Sequence, residues 1–171
     1  LSKRTGESHL PRLAGSGTVR SGMVLSTCNR VEVYAAGAGE EELLRETESF
    51  LAGLHGAADA DVRPHLYAKV NREAVRHLFR VASSLDSLVV GEPQILGQVK
   101  EAYFEARDAS LTDPFFDRLV QRAFSVAKRV RSETRIAEQA VSVSYAAVEL
   151  AEKVHGDLRG KKVLVIGAGE M

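Results

Sequence analysis

Along this chain the spacing of apolar positions changes period several times. In "GMVLST" (22–27) they form a short run, and in "RVEVYAA" (30–36) Val31, Val33 and Ala35 alternate with Glu32 and Tyr34. Both stretches predict strands. From Glu40 to Leu54 the period becomes helical, with Leu43, Leu44, Phe50, Leu51 and Leu54 on one side. "DVRPHLYAKV" (61–70) reads as a further strand, in which Pro64 suggests an edge or a bulge. Residues 1–21, rich in Gly, Ser, Thr and basic side chains, predict a loop or a frayed helix.

After Asn71, a candidate N-cap, the pattern is mostly helical. Val75, Leu78, Phe79 and Ala82 share one stripe, and "DSLVVGEPQ" (86–94) reads as a loop. Ile95, Val99, Ala102 and Tyr103 mark the next helix. Asp113-Pro114 opens a longer one, lined by Phe116, Leu119, Val120, Ala123, Ala127 and Val130. "VSVSYAAVELAEKV" (141–154) is the last, and "KKVLVIGAGEM" (161–171) reads as a buried strand breaking into a glycine turn. The expected class is α+β, a small antiparallel sheet with packed helices.

Composition narrows the functional classes. The 171 residues are 44% hydrophobic and 27% charged, enough for one ordinary core. Lys plus Arg number 23, as do Asp plus Glu, which excludes a uniformly basic nucleic-acid-binding surface but not a local stripe. One cysteine rules out an internal disulfide. No apolar run approaches the ~18 residues of a membrane span, and Leu1-Ser2-Lys3-Arg4 has no apolar signal core behind it. The expected location is therefore the cytoplasm, with no membrane partner.

Four features carry candidate chemistry. Cys28 sits where a strand ends, between Thr27 and Asn29-Arg30. It is either a small buried apolar residue or a nucleophile whose thiolate the neighbouring guanidinium favours. His77, on an otherwise apolar helix face, is either a satisfied structural histidine or the group that manages protons for such a thiol. No cysteine pair or His-x-x-x-His suggests a metal site. Gly167-Ala168-Gly169 matches the first two glycines of a dinucleotide fingerprint, or an ordinary strand-to-helix turn. Arg118, Arg122 and Arg129 fall near one line of a helix, with Lys128, Arg131 and Arg135 nearby; this is a phosphate-contacting stripe or a solvated face.

Three stretches then combine. "STCNRVEVY", "HLFRVASSLDSLVVGEPQILGQVKEAY" and "GKKVLVIGAGEM", in that order, closely resemble the glutamyl-tRNA reductase family, from about Gly22 to Met171. The resemblance implies that Cys28 attacks the ester of glutamyl-tRNA, forming a thioester that NADPH reduces to glutamate-1-semialdehyde, the first step of tetrapyrrole synthesis from glutamate. It implies that His77 is critical for activity. Thr27, Asn29 and Arg30 would surround the glutamate, with Arg30 reading a carboxylate, while Ser87, Glu92, Pro93, Gln94 and Gln98 complete the substrate contacts. Gly167, Ala168, Gly169, Glu170 and Met171 would begin the NADPH loop.

The implied fold is a ferredoxin-like α/β sandwich without its first strand, since Ser8-His9 does not lie where the family's Gly-x-Ser-His segment falls. The expected organisation is a catalytic glutamate-recognition domain over 1–112, a helical extension over 113–158, and the start of an NADPH-binding Rossmann domain over 159–171. The resemblance further implies a homodimer in the full-length protein and a possible partnership with glutamate-1-semialdehyde aminomutase. By this reading the chain is a catalytic piece of a longer reductase, retaining acyl transfer alone. A non-catalytic RNA-binding module and a general thiol hydrolase built on Cys28 and His77 are the alternative readings.

Overall fold

A hairpin organises the chain. In the computed structural model, which describes residues 10–15, 17–27, 29–87, 90–137 and 143–164, β1 (Val19–Ser26) pairs antiparallel with β2 (Val31–Gly37). The register runs from Ser26↔Val31 to Val19↔Gly37, with an irregularity between Val19 and Ser21. Around the hairpin lie α1 (Leu10–Ala14), α2 (Glu40–Leu54), α3 (Asp59–Val62), α4 (Asn71–Ala82), α5 (Gln94–Asp108), α6 (Pro114–Glu133) and α7 (Val143–His155). Short 3-10 turns cover Arg63–His65 and Arg135–Ala137. The α+β class expected from the sequence is what forms, with two strands in the sheet among the described residues.

Helix α5 packs on β1 and α2 on β2. Cross-strand partners share a face, so Leu25 lies beside Glu32 and Met23 beside Tyr34. On that face Met23 and Leu25 are completely buried, and Glu32 is 7% exposed. The other face carries the half-buried Val31, Val33 and Ala35. The alternation in β2 is therefore real, but its polar members point to the deeper side.

The core continues through Leu78 and Val81 of α4, Val99, Tyr103 and Ala106 of α5, and Val120, Ala123 and Ala127 of α6. Each fully buried Leu, Val or Met contributes roughly 1.5–3 kcal/mol. Asp113 caps α6 by accepting a hydrogen bond from the Phe116 amide at 2.7 Å, and Pro114 follows in the first turn. The Tyr103 hydroxyl donates to Asp117 at 2.9 Å, fixing α5 against α6.

Three expectations need correction. Residues 61–70 form no strand: Asp59–Val62 is helical, Pro64 sits in the first turn of a 3-10 segment, and 66–70 are irregular. Proline sets φ for a first helical turn as readily as for an edge strand, and the acids Asp59 and Asp61 suit a helix N-terminus. Asn71 is no side-chain cap: it is the first residue of α4, at φ 49°, and its amide donates instead to Glu40 at 3.2 Å. Residues 161–164 have no strand structure, and Val163 and Leu164 are about four-fifths exposed. An apolar parallel strand needs sheet neighbours on both sides, and none pairs with these residues among those described. The remainder of the expected strand and its glycine turn lies outside the described residues. Within residues 1–21, Leu10–Ala14 is helical and β1 begins at Val19, three residues before the expected strand.

Candidate active site

The four-residue connection between β1 and β2 is closed by Thr27. Its amide donates to the Arg30 carbonyl at 2.9 Å, while its hydroxyl accepts from the amides of Asn29 and Arg30 at 3.2 and 3.1 Å. Such side-chain-to-backbone bonds are how threonine fixes a turn. Cys28 itself lies outside the described residues, and so do Gly167, Ala168, Gly169, Glu170 and Met171. The turn aims Arg30 away from solvent, and its side chain is 15% exposed.

Arg30 enters a buried ionic cluster. Its Nη1 donates to Glu32 Oε1 at 3.1 Å and to Asp86 Oδ2 at 3.2 Å, and its Nη2 donates to the Asp86 carbonyl. Among the described residues these contacts engage three of the guanidinium's five N–H groups. Four donors converge on Glu32: Arg30, the Tyr34 hydroxyl at 2.5 Å, the Tyr67 hydroxyl, and His77 Nε2 at 2.9 Å. His77 is 9% exposed, lies near-parallel to the Tyr34 ring and edge-on to Tyr67, and turns Nδ1 toward Asp86 Oδ2 at 3.7 Å.

Charge and proton positions follow from this packing. Burial alone pushes the Glu32 carboxyl upward, but hydrogen bonds from Tyr34, Tyr67 and His77 outweigh it and hold Glu32 below its ordinary 4.5. Asp86 is likewise held low, burial being outweighed by Arg30 and Arg80. Arg30 is raised, because Glu32 and Asp86 overcome its own desolvation. The Tyr34 and Tyr67 hydroxyls are pushed up, first by burial and then by Glu32. An ionised Glu32 only accepts hydrogen bonds, so His77 carries a proton on Nε2. The imidazole is thus fixed in ring orientation and in one of its protons, as a positioned proton-transfer group must be.

The remaining predicted site residues lie in and after the loop leaving α4. Ser84, at φ 57°, donates through Oγ to the Glu92 carbonyl at 2.7 Å, and Gly91 N donates to the Ser84 carbonyl at 2.9 Å, drawing the loop into a closed turn. Gly91 has φ 88°, and a Cβ there would lie 2.2 Å from the Ile136 carbonyl oxygen, so only glycine fits. Arg131 Nη1 donates to the Pro93 carbonyl at 3.3 Å. Ser87 and Glu92 are half-buried, Pro93 and Gln94 exposed, and Gln98 half-buried on α5. Their side chains form no hydrogen bond or ion pair with the Arg30–His77 cluster among the described residues. The cluster thus brings together Arg30 and His77 of the predicted set, with Thr27 and Asn29 shaping its turn.

Four members, Glu32, Asp86, Tyr34 and Tyr67, were not picked out from sequence. They meet His77 or Arg30 across separations of up to 56 residues, so no local spacing reveals them; the one available signal was an acid in an otherwise apolar strand. Among the described residues no three carboxylate, imidazole or thiol groups are arranged to hold a metal ion. On α6, Arg118 and Arg122 are exposed, whereas Arg129 is paired with Glu133 at 2.9 Å and Arg131 is engaged by Pro93.

Comparison with known proteins identifies relatives of this chain. Residues 1–134 match the family model described as Glutamyl-tRNAGlu reductase, N-terminal domain. The chain is 58% identical over 153 residues to a glutamyl-tRNA reductase of Syntrophotalea carbinolica, covering 90% of this chain and 34% of the relative. It is 51% identical to one of Syntrophus aciditrophicus, covering 100% and 41%. Among solved structures it resembles the glutamyl-tRNA reductase from Methanopyrus kandleri, with a TM-score of 0.65 and 44% identity, over 99% of this chain and 40% of that one. The chain thus spans between about a third and two-fifths of the length of these relatives.

Proposed function

The chain belongs to the glutamyl-tRNA reductase family, and from that premise we propose that it is the part that takes the glutamyl group from glutamyl-tRNA onto Cys28. In this reading the Cys28 thiolate attacks the ester carbonyl, the carbon–oxygen bond to the tRNA breaks, and a thioester remains. The observation that carries it is the buried cluster built against the turn that bears position 28: a guanidinium two residues along the chain and an imidazole held in one orientation. Arg30 reads the substrate carboxylate; its planar fork suits that geometry. His77 manages the proton or the developing oxyanion. Ser87, Glu92, Pro93, Gln94 and Gln98 complete the substrate contacts, and Glu92 has no ion pair among the described residues that would prevent it from facing the substrate ammonium.

NADPH supplies the hydride that turns the thioester into glutamate-1-semialdehyde. The described residues contain no glycine-rich turn fit to cradle its pyrophosphate, since Gly167 to Met171 lie outside them, and no step is derived through it. The homodimer, the aminomutase partner and the cytoplasmic location belong to the same proposal. No helix among the described residues is long and apolar enough to cross a membrane.

The test is release of tRNA from glutamyl-tRNA by this chain. Wild type should deacylate it and Cys28→Ser should not; equal rates for the two would overturn the assignment. A second reading, an RNA-binding module without chemistry, is favoured by the exposed Arg118 and Arg122, which form no ion pair among the described residues. It predicts salt-dependent tRNA binding with no acyl transfer.

A further inference from the structure

Three carboxylates cannot share one guanidinium comfortably. Arg30 already faces two, Glu32 and Asp86, and the proposed substrate would bring another. One resident must leave, and the two are not equally free to do so. Glu32 is 8% exposed in its side chain and receives four donors. Displacing it would strand the Tyr34 and Tyr67 hydroxyls and unfix His77. The Asp86 side chain is 34% exposed, and its Oδ1 already touches a second cation, Arg80 Nη2, at 3.3 Å. Arg80 is itself 46% exposed and has room to follow.

The backbone around Asp86 is held by bonds of its own, apart from those its carboxylate makes to Arg30 and Arg80. Leu85 N donates to the Arg80 carbonyl and Gly91 N to the Ser84 carbonyl, both at 2.9 Å, and the Asp86 carbonyl receives Arg30 Nη2. Without the Asp86 carboxylate, Arg30 would still be gripped by Glu32 and by that carbonyl. The third bond is therefore redundant for orienting Arg30. What it changes is the charge Arg30 presents to a ligand.

We propose that Asp86 is a built-in stand-in for the substrate carboxylate: it occupies Arg30 until a glutamyl carboxylate takes its place, and then shifts fully onto Arg80. This rests on the reading of Arg30 as the glutamate reader. It makes Asp86 a specificity residue, because a ligand lacking a carboxylate, such as a glutaminyl group, cannot exchange with it. The affinity for the true substrate is lowered by the fraction of time Arg30 is occupied.

The experiment is acylation of Cys28 by glutamyl-tRNA and by glutaminyl-tRNA, followed over a range of concentrations for wild type, Asp86→Asn and Arg80→Gln. Asp86→Asn should lower the half-saturating concentration of glutamyl-tRNA by about 3- to 10-fold, the effect of freeing a site occupied some 70–90% of the time. It should lower that of glutaminyl-tRNA by at least as large a factor, since an uncharged ligand reaches Arg30 only once the Asp86 carboxylate is gone. Arg80→Gln should move the glutamyl value the opposite way, since the displaced carboxylate loses its second partner. A brace that merely aligns Arg30 would make Asp86→Asn raise the half-saturating concentration, and that result, or no change, overturns the stand-in alone. Absence of any Cys28 adduct in wild type would overturn the proposed function along with it.

Discussion

Two arginine–glutamate pairs in this chain have similar contact distances and opposite settings. Arg129 and Glu133 meet at 2.9 Å on the surface of α6, with side chains 67% and 58% exposed; Arg30 and Glu32 meet at 3.1 Å with 15% and 8% exposed. In both, the arginine is pushed up and the glutamate down. For the surface pair the mutual hydrogen bond is the main cause. For the buried pair the largest influence is desolvation, which opposes the shift in each partner, and a network of further groups has to overcome it. A surface pair is screened and dispensable. A buried pair depends on every partner, because removing one leaves an uncompensated charge. The difference lies in what surrounds the pair, and the surroundings mark the site.

That contrast can be broken by mutation. Glu32→Ala should have the largest effect, destabilising the chain by about 3 kcal/mol in urea unfolding, since it strands Arg30, His77 and two hydroxyls at once. Gly91→Ala should cost about 2 kcal/mol, because its Cβ would collide with the Ile136 carbonyl at a positive φ. Its damage should extend to acylation, since Gly91 closes the loop that carries Asp86. Tyr67→Phe should cost about 1 kcal/mol, one hydrogen bond to a charged acceptor, although its ring is largely exposed. Arg129→Ala should leave the unfolding midpoint unchanged within error; a loss comparable with that of Glu32→Ala would dissolve the distinction.

Acid sharpens the same comparison. Glu32 and Asp86 titrate below their ordinary 4.5 and 3.8 when folded. The unfolded chain therefore binds more protons there, and the stability they contribute is present above about pH 4.5 and lost as pH falls through the folded values. Circular dichroism during acid titration should show a shallower loss for Glu32→Gln than for wild type. An equal or steeper loss would mean that Glu32 is not held low by its partners.

The helices α2, α5 and α6 were legible because each satisfies a local rule: an apolar stripe of period 3.6, or Asp113 followed by Pro114. The hairpin was legible from alternation, and residue type and the family resemblance singled out His77 and Arg30, which the cluster brings together. What stayed hidden was decided by distant partners. Glu32 looks like the solvent-facing member of an alternating strand until α4 places His77 over it, 45 residues away. Asp86 reads as a loop acid until it meets Arg30. The strand expected at 61–70 failed for a different reason: Pro64 and the surrounding apolar residues fit either a bulged strand or a short helical turn, and with no strand pairing to them among the described residues the turn forms.

The central claim, that this cluster serves a thiol at position 28, is tested most directly by intact-mass measurement after mixing the chain with glutamyl-tRNA. Wild type should carry a single glutamyl adduct, mapped to Cys28, that forms more slowly in Glu32→Gln and is absent in Cys28→Ser. An adduct that persists in Cys28→Ser, or wild-type protein that deacylates glutamyl-tRNA without ever carrying one, would contradict it.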